Sequence, residues 1–211
     1  MLRRAFVSRF PALAALFALQ QPAAPGAPPS PATSGPMKHR EDEWFDEAPD
    51  KHRVVFDTSM ADTFGDAVTY ASNWIRMNKE AYGLADSDIA VIIVARHGTG
   101  PFAFNEAMWT KYGKFFADRM AAHDKVAHPN PTTNIHASRL AGLARQGLRL
   151  AVCNLTTRAY VRMIADANKQ DEDAIYKELT TNTVAPAHFV AAGVVGVTRA
   201  QEYGYKLVSV D

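Results

Sequence analysis

Cysteine is nearly missing from this chain: among 211 residues there is one, Cys153. A disulfide scaffold is therefore excluded, and any disulfide intermediate must involve a partner or a small thiol. Net charge is also scarce. Formal charge is +1, and residues 1–36 hold Arg3, Arg4 and Arg9 with no acid, so the remaining 20 basic and 22 acidic residues leave the body at −2. A near-neutral body lacks the basic face that nucleic acid or an anionic membrane would require. The apolar run Pro11 to Leu19 has nine residues, far below the roughly 20 that span a bilayer. No Gly-x-Ser-x-Gly elbow occurs, which argues against an ordinary α/β hydrolase. The loop His97-Gly98-Thr99-Gly100 has neither the phosphate lysine nor the Gly-x-Gly-x-x-Gly frame of a nucleotide site. His123, His128 and His136 lack the tight spacing of a zinc motif, so neither metal nor cofactor is expected. What the chain does have is 47% hydrophobic and 21% charged residues, enough for a sizeable core.

The N-terminus reads as an address. A short basic stretch, Met1 to Phe10, precedes the apolar run, and residues 22–36 hold six of the twelve prolines. That is the layout of an export signal, here 1–21, followed by an extended linker. Arg3-Arg4-Ala5-Phe6-Val7 resembles the twin-arginine signal, although an ordinary secretory signal has a similar basic end. The product is expected in the periplasm or otherwise exported, without a stable membrane span. Residues 40–50 are acidic but carry Trp44 and Phe45, a pair suited to docking on the domain or on a neighbouring subunit.

From residue 51 to 211 strands and helices alternate. Arg53 to Phe56 is a β-rich run, and Phe64, Ala67, Val68, Ala71, Trp74 and Ile75 recur at helical spacing until Gly83. Ile89 to Ala95 is apolar throughout, the pattern of a strand covered on both faces. Phe104 to Tyr112 reads as helix, and Gly113 to Thr133 as a partly helical insertion. Leu140 and Leu143 build a helix closed at Gly147, and Leu148 to Cys153 is the next strand. Asn154 to Thr157 is expected as a turn before helices at 158–168 and 171–179. A strand at 184–190, a helix closed at Gly204 and a strand at 205–210 complete the chain. Repeated units of this length imply a three-layer α/β/α domain, with a mainly parallel, doubly wound sheet of about five strands.

Ligands of such sheets gather at the carboxyl ends of the strands. Three segments end there in polar or reactive residues: Asp57-Thr58-Ser59, Arg96-His97-Gly98 and Cys153 to Thr157. Cys153 beside a helix start suits thiol chemistry, with Arg158 adding positive potential. It could equally be a small buried hydrophobe. His97 could serve as its proton donor or hydrogen-bond a turn. Asp57 and Thr58 could line the same rim or cap the next helix. With Asn154, Thr156, Thr157 and Arg158 they form the candidate ligand-binding set around Cys153 and His97.

The ordered blocks His52 to Phe56, Ile89 to Gly100, Gly147 to Cys153, Val184 to Ala187 and Arg199 to Tyr205 resemble the DsrE/DsrF-like family of sulfur-relay proteins, over roughly residues 50–210. The resemblance implies a flavodoxin-like α/β domain that assembles as trimers or hexamers. It also implies a cysteine persulfide handed to or from a partner protein, here on Cys153. The chain differs from the relay members in its export signal and in a longer stretch at 113–133. A non-catalytic oligomeric protein, binding a small ligand at the same rim around a structural Cys153, remains the alternative.

Overall fold

A computed structural model describes residues 38–47, 51–125 and 132–210. The expected export signal, the expected linker up to residue 37, and His128 lie outside the described residues. Five parallel strands, β1 (His52–Thr58), β2 (Ile89–Ala95), β3 (Leu148–Cys153), β4 (Ala187–Val190) and β5 (Lys206–Val210), form one sheet in the order β4-β3-β2-β1-β5. The uniformly apolar β2 is central and buried along its whole length, as a strand covered on both faces must be.

Side-chain alternation divides the core into two layers. Val54, Phe56, Val91, Ile93, Leu150 and Val152 face one side. There they pack against α1 (Phe64–Tyr82), α2 (Glu106–Asp124), α3 (Ala137–Ala144) and α4 (Asn154–Asn168), with α5 (Glu172–Thr181) outside α4. Val55, Ile92, Val94, Ala151 and Val190 face the other side, against Val197 and Ala200 of α6 (Gly193–Glu202). The order of strands explains the unequal sharing. From β1 to β4 the chain steps in one direction, so right-handed crossovers put α1 to α5 on one face. The return from β4 to β5 reverses direction and sends α6 alone across the second face.

One helix does not cover that face. The aromatic pair completes it: a 3-10 helix, Arg40–Phe45, lays Trp44 on His188, centroids 4.1 Å apart, and buries Phe45 against Tyr203 and Tyr205. Tyr205 Oη donates to the Phe45 carbonyl at 3.1 Å, and Arg149 to that of Trp44 at 2.9 Å. The arm thus docks on its own domain.

Local differences from the sequence reading have identifiable causes. The helix expected at 104–112 and the first half of the partly helical insertion expected at 113–133 are one helix, because α2 runs through Gly113 to Asp124 and buries Met108, Trp109, Tyr112, Gly113, Phe116 and Met120 on one face. Asn154 to Thr157 is not a turn. The first turn of α4 follows β3 directly, and Thr157 Oγ1 donates back to the Cys153 carbonyl at 3.2 Å. The strand expected at 184–190 shortens to Ala187–Val190, with Pro186 just before an edge strand, where its missing N–H costs no ladder bond. The loop after β2 is a 3-10 helix, His97–Ala103. Gly83 and Gly147 do terminate helices, with φ of 67° and 95° in the left-handed region.

Candidate functional site

The carboxyl ends of β1, β2 and β3 lie level, since Thr58 pairs with Ala95 and Ala95 with Val152. Immediately beyond them the chain turns sharply. His97 takes φ 48°, a left-handed conformation that a side chain disfavours, and Gly98 N–H then donates to the Ser59 carbonyl at 2.9 Å. Thr99 ties the same turn together, its hydroxyl meeting Thr58 Oγ1 at 3.0 Å and accepting from Arg96 N–H at 2.9 Å.

Here a pocket of about 280 Å³ opens. Its walls are Arg96 and His97 from the β2 end, Arg119 from α2, Cys153, Leu155 and Thr156 from the start of α4, and Ala192, Gly193 and Val194 from the start of α6. Two helix N-termini therefore converge on it. The residues before them, Cys153 and Ala192, make no side-chain capping bond. The unpaired N–H groups of both first turns favour negative charge. No lining residue is acidic. Arg119 lies over the Tyr160 ring at 5.3 Å and has no acidic partner among the described residues, so it adds positive charge to the wall. Arg96 is held by both oxygens of Asp57, at 2.8 and 2.9 Å. Its stem packs so closely on Gly193 that a Cβ there would stand 2.6 Å from Arg96 Cβ.

His97 is exposed to solvent at the pocket wall, but the protein around it displaces part of its hydration. That desolvation holds its pKa below the ordinary 6.5, and Arg96 and His123 push the same way. At neutral pH its ring is uncharged and able to accept a proton. Its backbone N–H donates to Thr156 Oγ1 at 3.2 Å, which joins the β2 end to α4. Cys153 is 5% exposed. Exposed apolar side chains, Leu155 at 66% and Val194 at 57%, rim the opening.

Of the residues singled out from sequence, Cys153, His97 and Thr156 meet in this pocket. The others lie beside it. Asp57 is engaged by Arg96, and Thr58 is fully buried, donating to the Val94 carbonyl at 2.8 Å. Thr157 is buried beneath Cys153. Asn154 Oδ1 is buried without a hydrogen-bond partner among the described residues. Arg158 turns away, its guanidinium 4.2 Å over Tyr176. The positive charge expected of it comes instead from Arg119. Arg119 falls in the stretch expected as a partly helical insertion, although the three- and four-residue spacing of Trp109, Tyr112, Phe116 and Met120 continues through it.

Fold and site together define a three-layer α/β/α protein with a thiol-bearing, acid-free pocket at the carboxyl edge of a parallel sheet. Comparison of the chain with family models, curated proteins and solved structures found no match. Among the described residues no helix is long and apolar enough to cross a membrane.

Proposed function

We propose that this protein binds or transfers sulfane sulfur through a persulfide on Cys153, as the resemblance to DsrE-like proteins implies, after export to the periplasm. The observation that carries the reading is the place of Cys153: on the wall of a pocket where two uncapped helix N-termini and Arg119 favour an anion. A persulfide anion is a suitable occupant. With an organic persulfide as donor, the neutral His97 ring takes the proton of the Cys153 thiol. The sulfur then attacks the outer sulfur of the donor. The new S–S bond forms as the old one breaks, and the departing thiolate leaves with the electron pair and takes up the proton. One thiol and one persulfide are consumed and one of each is produced. A homo-oligomer and a sulfur-exchanging partner protein belong to the same proposal.

Incubation with an organic persulfide, followed by mass spectrometry, tests it. A single 32 Da adduct on Cys153 that is transferable to an acceptor thiol, and is lost in Cys153→Ser, is the expected result. A thiol that never acquires sulfur refutes it.

The low exposure of Cys153 favours a second reading, in which the pocket binds a small anion and the cysteine only packs. Native labelling by maleimide separates the two. Failure to label, together with anion binding unchanged in Cys153→Ser, supports the binding protein.

A further inference from the structure

Behind His97 lies a polar group that the sulfur chemistry above does not use. Asp124 closes α2 with its side chain 1% exposed, and its carboxylate accepts from Ala61 N–H and from His123 Nδ1. An ionised carboxylate only accepts, so Nδ1 carries the proton of that bond and the ring of His123 is fixed. That ring lies nearly parallel to the ring of His97, 13° from it, with centroids 5.1 Å apart. The backbone is built around the same carboxylate: His97 holds the disfavoured φ of 48°, and a Cβ on Gly98 would stand 2.6 Å from Asp124 Oδ1. A strained residue on a pocket wall, followed by a glycine pressed on a buried acid, is the kind of arrangement that persists where side-chain placement matters. Arg119, one helical turn before His123 on α2, reaches the wall of the same pocket.

We propose that His123, fixed by the buried carboxylate of Asp124, is a positioning residue that holds the His97 ring in the Cys153 pocket. The proton acceptor of the pocket then depends on two residues outside it. This inference rests on the reading of Cys153 given above. The charged groups acting on His97 come from three elements: Asp57 from β1, Arg96 from the end of β2, and Arg119 and His123 from α2. Asp57 alone favours the imidazolium; the other three oppose it.

The test pairs two measurements on the full chain: NMR titration of the His97 ring, assigned by its loss in His97→Gln, and the pH profile of sulfur transfer from an organic persulfide to Cys153. His123 is 40% exposed in its side chain, so its variants are expected to fold. His123→Ala, which removes the stacked ring, lowers the transfer rate at pH 7 by roughly threefold or more. His123→Phe keeps a flat ring on His97 without the neighbouring charge. It restores much of that rate, while the His97 midpoint and the acid limb of the profile both rise by roughly 0.5 to 1 pH unit. Asp124→Asn reproduces the loss of rate if it folds. An unchanged His97 titration and an unchanged profile in both His123 variants overturn the proposal. If wild-type Cys153 never takes up sulfur, the sulfur reading fails instead, and the positioning role is decided by NMR: a cross-peak between the His97 and His123 rings in the wild type supports it, and its absence overturns it.

Discussion

Removal of one ring from the docked arm is the sharpest test of how far the folded unit extends. Phe45 is completely buried, stacks on Trp44 with centroids 3.8 Å apart, and meets Tyr203 at 5.4 Å and Tyr205 at 5.9 Å. A buried aromatic side chain withdraws roughly 150 Å² or more from water. At about 25 cal/mol per Å² that is about 4 kcal/mol. Phe→Ala substitutions in packed cores cost about 3–5 kcal/mol, the cavity included. The two routes agree, so Phe45→Ala is expected to cost about 4 kcal/mol. For a domain of this size each kcal/mol lowers Tm by roughly 2–4 °C, which gives a fall of roughly 8–16 °C. Urea unfolding followed by far-UV circular dichroism, with calorimetry alongside, measures it. A loss below about 1 kcal/mol would refute the reasoning, because it would mean that the arm is not part of the cooperative core. Trp44→Ala in the same background should add less than its single effect, since the two rings touch.

Two other perturbations probe the site and the second face. Gly98→Ala drives a methyl group against Asp124, and such overpacking costs about 1–3 kcal/mol in a urea melt; no loss of stability would show that the carboxylate moves aside freely. His188, stacked on Trp44, has its pKa held below 6.5 by burial and then by Arg149, with Glu47 opposing. A depressed folded value means that the unfolded chain binds the proton more readily, so the contribution of His188 is present above pH 6.5 and is lost as pH falls through the folded value. His97 acts in the same direction. The urea midpoint should therefore decline between about pH 7 and pH 5, less steeply in His188→Gln, and an identical slope in that variant counts against the assignment.

Much of the architecture was legible because local pattern and global packing agree. The unbroken apolar run at Ile89–Ala95 marks the one strand buried along its whole length, and Gly83, Gly147 and Gly204 stand at positive φ where helices end. The join between the expected helix at 104–112 and the partly helical stretch after Gly113 was not legible, for the opposite reason. A glycine can stop a helix or let it pack closely, and only the burial of that face of α2 distinguishes the two. Asn154 to Thr157 misled likewise. Polar residues after a strand suit a turn, but the same residue types also suit the first turn of a helix, where N–H groups are unsatisfied.

By itself the sequence determined the alternation of strands and helices, the parallel sheet implied by it, and the placing of Cys153 and His97 at strand ends. These follow from hydrophobic period and from glycine positions, which act over a few residues. Tertiary structure decided the rest. The strand order sends α6 alone across the second face, and that gap is what Trp44 and Phe45 fill. The same order brings the starts of α4 and α6 together, so that residues some 40 positions apart share one pocket wall with Arg119. The buried Asp124 lies 27 positions from His97, yet its carboxylate is hydrogen-bonded to the His123 ring that stacks on His97. Such meetings depend on distances through space, which hydrophobic period does not encode.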